Sequence, residues 1–223
     1  MVHVINKIER PAKEIIDRFR GIGTATVHEA SGRKGYVDCA IKPLARGVRI
    51  CGPAFTVQCH PKDNLMLHKA LERAQPGDIL VATVGGYYEA GYWGGLMATS
   101  AVGRKIGGLA IDGTVRDSEE MIRMGFPVFC RGCCILGTAK STLGLINHPT
   151  LFGGAMVNPG DIILGDDDGM VIVGRQECEE VLAKSLARVE AEEKKAVQLA
   201  AGVSSVEFNK LGKVFEFLGL KEE

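Results

Sequence analysis

No run in this sequence approaches the roughly 18 consecutive apolar residues of a membrane span. The opening stretch, MVHVINKIERPAKEIIDRFRG, holds no apolar core of signal-peptide length. An excess of one charge is also missing: 27 Lys and Arg balance 27 Asp and Glu, so the formal net charge is +0. That balance gives no basic stripe for nucleic acid and no acidic tail pointing to disorder. A cytoplasmic protein with neither a membrane nor a nucleic-acid partner is expected. No Pro/Gly/Ser-rich linker interrupts the chain, so its 223 residues read as one domain, 1–223, with a C-terminal helical segment at 176–220. A chain of this length buries a core without disulfide or metal staples.

Several chemical motifs are absent. No Gly-Lys-Ser/Thr follows the glycine-rich stretches, which excludes a P-loop. CRGCC, residues 130–134, lacks the second CxxC or spaced His pair of a structural zinc site. The seven cysteines, an odd number, are expected to be reduced, buried small hydrophobes. GDDDGM lacks the spaced Glu of an EF-hand and reads as a hairpin turn between the apolar runs DIIL and MVIV. No Gly-rich cofactor loop with an acidic ribose partner supports a methyltransferase.

Glycine is abundant, 29 of 223 residues, against about 7% in ordinary proteins. PAKEIIDRFRG predicts a short helix with Ile15, Ile16 and Phe19 on one face. TATVHEASG predicts another, with Thr24 as its N-cap. GPAFTVQC predicts a strand, and DNLMLHKALERA a helix burying Leu67, Ala70, Leu71 and Ala74. ILVATV and GGLAI read as buried strands, each followed by a turn and a helix. PGD precedes an apolar run at 76–78 and again at 159–161, and both predict type II turns launching strands. Residues 176–201 predict one long helix, followed by a shorter helical tail with Ser204 or Ser205 as cap. Alternating strands and helices predict an α/β core with parallel pairing, and the late hairpin makes the sheet mixed.

Two turns carry candidate chemistry. GYWGGLM, residues 91–97, follows a strand and opens a helix. Helix-start N–H groups attract anions, and glycines let a carboxylate approach the backbone. A plain strand-to-helix turn fits these residues equally well. DGTVRD, residues 112–117, comes one strand later, so parallel strands would place both turns at one sheet edge, where open α/β folds bind ligands. Arg116 offers a fork of donors to a carboxylate or enolate oxygen, and Asp117 a hard-cation ligand. The alternative is that Asp117 caps the following helix while Arg116 forms a surface pair. Asn64 and His68, four apart on one helix, either face this site or belong to an ordinary helix surface. The cluster Glu190, Glu192, Glu193 reads by itself as a solvated face laced by i,i+4 pairs.

TVHEASGRKG, KDNLMLHKALERAQPGDILV, GYWGGLMATSA, IDGTVRD, MGFPVFCRG, NPGDIILGDDDGMVIV and AEEKKAVQLAAG together resemble one family. It is the 4-hydroxy-4-methyl-2-oxoglutarate / 4-carboxy-4-hydroxy-2-oxoadipate aldolases, in the superfamily that includes the regulator of ribonuclease activity A. The resemblance implies a swivelling β/β/α fold with C-terminal helices, in a homotrimer or a dimer of trimers (homohexamer). It implies a lyase: a class II, divalent-metal-dependent pyruvate aldolase of aromatic-compound degradation. Such an enzyme would cleave 4-hydroxy-2-oxo acids to pyruvate plus a second oxo acid, with oxaloacetate decarboxylase activity on the side. By position, Arg116 resembles the family's pyruvyl-contacting arginine and Asp117 its Mg²⁺ or Mn²⁺ ligand. The N–H groups of Gly94, Gly95, Leu96 and Met97 match its carboxylate-holding loop, with Asn64 as a further substrate-binding residue. Glu192 matches a catalytic glutamate that reaches the metal-bound waters of a neighbouring subunit. Many members carry an acidic residue where this chain has Gly95. Two alternatives follow: a non-catalytic binding protein like the ribonuclease regulators, or a different metal-dependent oxo-acid lyase or hydratase.

Overall fold

A computed structural model describes residues 2–223. The elements run, in order, α1 (Lys13–Phe19), α2 (Thr24–Ala30), β1 (Lys42–Pro43), β2 (Ile50–Gln58), α3 (Leu65–Arg73), β3 (Ile79–Thr83) and α4 (Gly95–Gly103). Next come β4 (Gly108–Asp112), β5 (Thr114–Val115), α5 (Ser118–Met124), β6 (Val128–Cys130), β7 (Gly132–Cys133), β8 (Leu145–Ile146), β9 (Thr150–Phe152) and β10 (Ala155–Val157). The chain closes with β11 (Ile162–Asp166), β12 (Gly169–Val173), α6 (Cys178–Ala200), α7 (Ser205–Phe208) and α8 (Gly212–Leu218).

The main sheet has the order β1-β6-β4-β3-β2-β11-β12, with β8 added on β2. Pairing is parallel from β2 through β3 and β4 to β6, and antiparallel at β1, β11 and β12. The sheet is mixed, as the sequence predicts. The first and last strands of this order approach one another, with Lys42 Nζ donating to the Asp168 carbonyl, so the sheet is nearly closed.

Its strands are buried on both faces. Leu80 and Ala82 of β3 join Phe55, Val57, Leu109 and Ile111 in the core beneath α3, α4 and α5. Ile79 and Val81 point the other way, into a second core with Ala54, Ala110, Phe129 and Ile163. The period-2 alternation of a strand serves two cores here, which is why these runs are apolar throughout.

Both PGD turns fold alike. Gly77 (φ +87) and Gly160 (φ +86) take the left-handed conformation that the third residue of a type II turn requires. The Asp78 and Asp161 carboxylates each accept, at 2.8 Å, from the N–H three residues back, on Gln75 and Asn158. Asp78 also holds Arg10 through two hydrogen bonds of 2.7 Å. GDDDGM is the β11–β12 hairpin, with Asp166 paired to Gly169.

Two expectations need correction. Thr24 is the first residue of α2, not its cap; Gly23 holds the cap position. The Asp166 carboxylate, arriving from the end of β11, accepts from the Thr24 N–H at 2.8 Å and its hydroxyl at 2.6 Å. A full negative charge against a helix start outcompetes a neutral hydroxyl cap. The cysteines are all free, but Cys39 and Cys133 are exposed rather than buried.

The chain divides into two compact units, Met1–Ser185 and Leu186–Glu223. The first carries the sheet. The second consists of the outer part of α6 with α7 and α8, and the Ser204 hydroxyl caps α7 by accepting from the Val206 N–H. Among the described residues no helix is long and apolar enough to cross a membrane.

Candidate active site

Because β3 and β4 are parallel neighbours, the segments that leave their C-terminal ends emerge at one edge of the sheet. Two isolated pairings lock these segments together: Gly91 bridges to Thr114, and the Arg116 N–H donates to the Trp93 carbonyl at 2.8 Å. Tyr92 and Trp93 are fully buried beneath them. The Tyr92 hydroxyl accepts from the Lys62 N–H and donates to the Tyr87 carbonyl, and Trp93 stacks on Phe126. The glycine loop is thus a rigid platform.

A cavity of about 210 Å³ opens above this platform. Asn64, His68, Gly94, Leu96, Met97, Arg116, Asp117 and Lys140 are among the residues that line it. A larger groove of about 680 Å³ lies elsewhere, against Lys7, Glu9, Asn158 and Arg175. Its one arginine, Arg175, is already paired with Glu9 there, so the smaller cavity is the better candidate.

The glycines serve the protein's own side chains first. A Cβ on Gly91 would stand 2.9 Å from Cβ of Arg116, and one on Gly94 would stand 2.5 Å from Oδ2 of Asp117. Their absence lets the Arg116 stem lie across the loop and lets the Asp117 carboxylate reach the start of α4. There Asp117 Oδ2 accepts from the Gly95 N–H at 3.1 Å, with Arg116 Nε 3.7 Å away. Asp117 occupies the N-cap position of α5, yet its side chain makes no capping bond, and its backbone is left-handed (φ +56, ψ +39). The simple capping alternative is therefore wrong: this carboxylate faces the cavity, not the helix it precedes.

The N–H groups of Leu96 and Met97, in the first turn of α4, have no acceptor among the described residues. They remain available to an anion, whereas that of Gly95 is taken by Asp117. Asn64 is buried; its amide nitrogen donates to the Tyr92 carbonyl at 2.8 Å, and its Oδ1 has no partner. Leaving a buried acceptor unpaired costs about 1–3 kcal/mol, so such a group at a cavity wall marks a place for a ligand's donor. His68 joins Asn64 at this wall, although an ordinary helix surface was the simpler sequence reading. Burial, and then the Lys140 cation, lower its pKa from the usual 6.5, so the ring is neutral at pH 7.

Asp112, the first residue of DGTVRD, is not part of the cavity. Its carboxylate pairs with Arg131 and accepts from the Gly153 N–H, and Arg131 also binds Asp38. Glu192 lies in the C-terminal unit, where it pairs with Arg188 Nε at 2.8 Å.

The loop carrying Gly137, Thr138 and Lys140 went unrecognised in the sequence, since it has no periodic pattern. Asp63 fastens it: this buried carboxylate accepts from the N–H groups of Leu65, Ser141 and Thr142. Burial alone would raise the Asp63 pKa, but the donors of Ser141, Leu65 and Thr142 outweigh it and hold the group below 3.8. The stabilisation is therefore present above the ordinary carboxyl pKa and lost as pH falls through the lowered folded-state value. Asp63→Ala is expected to cost about 2 kcal/mol or more, because three donors lose a charged acceptor. Urea denaturation at pH 7 reads this directly, and the difference from the parent protein should shrink below about pH 4. An unchanged midpoint at pH 7 would refute the fastening role.

Among the described residues no cluster of three His, Cys, Asp or Glu side chains is arranged to hold a metal. The donor set nevertheless suits Mg²⁺ or Mn²⁺, hard cations held by one or two carboxylates while several waters complete the shell. A zinc site with four protein ligands would not fit.

The family model described as "RraA-like: Aldolase/RraA" matches residues 14–172. A Halalkalibacterium halodurans protein named "Putative 4-hydroxy-4-methyl-2-oxoglutarate aldolase" is 36% identical over 172 residues, 77% of this chain and 82% of its own. An uncharacterized protein from Pseudomonas syringae superposes with a TM-score of 0.78 at 26% identity, over 91% of this chain and 100% of its own. Streptomyces coelicolor RraAS2, described as an unusual member of the RNase ES inhibitor RraA family, gives 0.77 at 27%, over 85% and 99%. A mixed α/β body, a nearly closed sheet and these relatives agree: the chain belongs to the RraA-like family of aldolases and RraA proteins.

Proposed function

We propose that this protein is a divalent-cation-dependent aldolase that releases pyruvate from 4-hydroxy-2-oxo acids such as 4-hydroxy-4-methyl-2-oxoglutarate and 4-carboxy-4-hydroxy-2-oxoadipate. The observation that carries the reading is one cavity holding a half-exposed guanidinium, a carboxylate beside it and a helix start with two free N–H donors. Relatives named as aldolases support it.

Cleavage of the C3–C4 bond requires the C4 hydroxyl to lose its proton while the bond's electron pair moves towards C2, leaving pyruvate enolate and a new carbonyl at C4. A cation held by Asp117 would supply Lewis-acid polarisation of the 2-oxo group. The Leu96 and Met97 N–H groups take the C1 carboxylate. Arg116 donates to the oxygen on which negative charge builds, a preorganised interaction strongest in the transition state. Asn64 Oδ1 accepts from a substrate hydroxyl and orients it, and Lys140 lies on the cavity wall as a counter-charge for a second carboxylate. An ordered water takes the hydroxyl proton. Enolate protonation at C3 then gives pyruvate, and decarboxylation of oxaloacetate passes through the same enolate. Glu192 enters only through the resemblance, as a carboxylate offered to a neighbouring copy in a trimer or dimer of trimers.

The test is pyruvate release from racemic 4-hydroxy-4-methyl-2-oxoglutarate, coupled to lactate dehydrogenase, with Mg²⁺, Mn²⁺ or EDTA. Turnover with either cation and none with EDTA is expected. No turnover of this acid, of 4-carboxy-4-hydroxy-2-oxoadipate or of oxaloacetate by cation-loaded protein would refute the proposal and favour the non-catalytic, RraA-like alternative.

A further inference from the structure

The cavity does not end at Met97. His68, Leu96 and Met97 line it, and the same three residues line a second space of about 350 Å³. That space is a groove between α3 and α4, with Glu72 on one side and Ser100 and Arg104 on the other. Leu96, Ser100 and Arg104 recur at every fourth position, so they share one face of α4. Arg104 stands at the end of α4, about 12 Å along the helix from Leu96, and its side chain lines the groove.

The far end of this groove is cationic. Arg104 Nη2 donates to the Glu72 carbonyl at 2.9 Å, which fixes the guanidinium between the two helices, yet Arg104 makes no ion pair among the described residues. The Glu72 carboxylate is already served: Lys69 Nζ donates to it at 2.7 Å, and Arg73 Nη2 lies 3.3 Å away. The Lys69 hydrogen bond, with the charges of Lys69, Arg73 and Arg104, holds the Glu72 carboxyl below its usual range. Three cations meet one carboxylate here, and an anion is the occupant that balances them. The two candidate acids differ at one place. 4-Hydroxy-4-methyl-2-oxoglutarate has a methyl group on C4 where 4-carboxy-4-hydroxy-2-oxoadipate has a carboxymethyl arm. With the C1 carboxylate on the Leu96 and Met97 N–H groups, the groove is continuous with the space around C4. The exposed Leu96 at its entrance suits the arm's methylene, and its cationic end suits the arm's carboxylate.

We propose that the α3–α4 groove receives this arm and that Arg104 selects the tricarboxylic acid over its methyl counterpart. The inference rests on the aldolase reading and names its preferred substrate class, 4-hydroxy-2-oxo acids that carry a third carboxylate.

kcat and KM of the full chain for both acids and for oxaloacetate, with Mg²⁺ or Mn²⁺, test this. The parent is expected to favour the tricarboxylic acid in kcat/KM. Arg104→Gln should lower that value about 10-fold for this acid, chiefly through KM, because a charge-assisted contact to the bound arm is lost. The same variant should handle the methyl acid and oxaloacetate like the parent, which a general loss of structure would not allow. Arg104→Lys should keep part of the preference and Arg104→Glu should reverse it. If Arg104→Gln slows all three reactions alike, or leaves the tricarboxylic acid unaffected, the inference is overturned and the aldolase reading stands. A parent that turns over the methyl acid but not the tricarboxylic one overturns it equally. If the parent turns over none of the three, both readings fall.

Discussion

Asp117→Asn is expected to leave the protein folded and to lower pyruvate release by on the order of 10³-fold, equivalent to about 4 kcal/mol of lost transition-state stabilisation. The substitution suits this position. Asparagine is among the few residues that tolerate the left-handed backbone found here (φ +56). Its amide oxygen can still accept from the Gly95 N–H that Asp117 now holds at 3.1 Å. Shape, backbone and hydrogen bond are kept, and only the negative charge is removed. A parent-like thermal midpoint combined with lost turnover would therefore assign the charge to chemistry. Retention of turnover within about a factor of ten, or 1.4 kcal/mol, would remove Asp117 from the proposed role. Asp117→Ala is a poorer probe, since it loses the Gly95 bond and places a Cβ-bearing residue with no compensating side chain in left-handed space.

The geometry around Asp117 also shows where the fold gives up stability. α5 starts without a side-chain cap although Asp117 stands in position, a loss of about 1 kcal/mol. Asp117 adds the cost of a left-handed residue, about 1–2 kcal/mol. A left-handed residue and a diverted cap at one cavity, both at Asp117, are the pattern expected where structure serves a ligand.

The sheet was largely readable because its signals are local. Gly77 and Gly160 announce turns by themselves, and the short unbroken apolar runs in ILVAT and GLAID predict buried strands whether or not their partners are known. That both turns share a sheet edge followed from parallel pairing alone. The misreadings lie where a partner distant in sequence decides. Thr24 looks like a cap until Asp166, 142 residues away, takes its N–H. Asp112 shares the DGTVRD turn with Arg116 and Asp117, yet Arg131 claims its carboxylate. The wall carrying Lys140 is held by Asp63 through hydrogen bonds that no periodicity announces. Gly95 departs from the acidic residue that the family resemblance implies there, and only the path of α5 shows the Glu120 carboxylate packed against it.

Arg116 gives the second large effect, and its dependence on substrate is the sharper test. Arg116→Ala is expected to lower kcat by about 10²–10³-fold, the range for removing one preorganised donor from a developing oxyanion. Arg116→Lys should recover little of that, because an ammonium is a point charge and cannot present the guanidinium's planar fork. Neither change should disturb the platform. The Arg116 N–H still bonds the Trp93 carbonyl, and the side chain is half-exposed with no buried partner left behind. If the guanidinium acts on the enolate, kcat falls with little change in KM; if it only grips the ground-state carboxylate, KM rises and kcat holds. Oxaloacetate separates the two further. Its decarboxylation shares the enolate but has no C4 hydroxyl to deprotonate, so a residue acting on the enolate must slow both reactions in parallel. An Arg116 variant that loses aldol cleavage yet decarboxylates oxaloacetate at the parent rate would move Arg116 from the enolate to the departing half of the substrate.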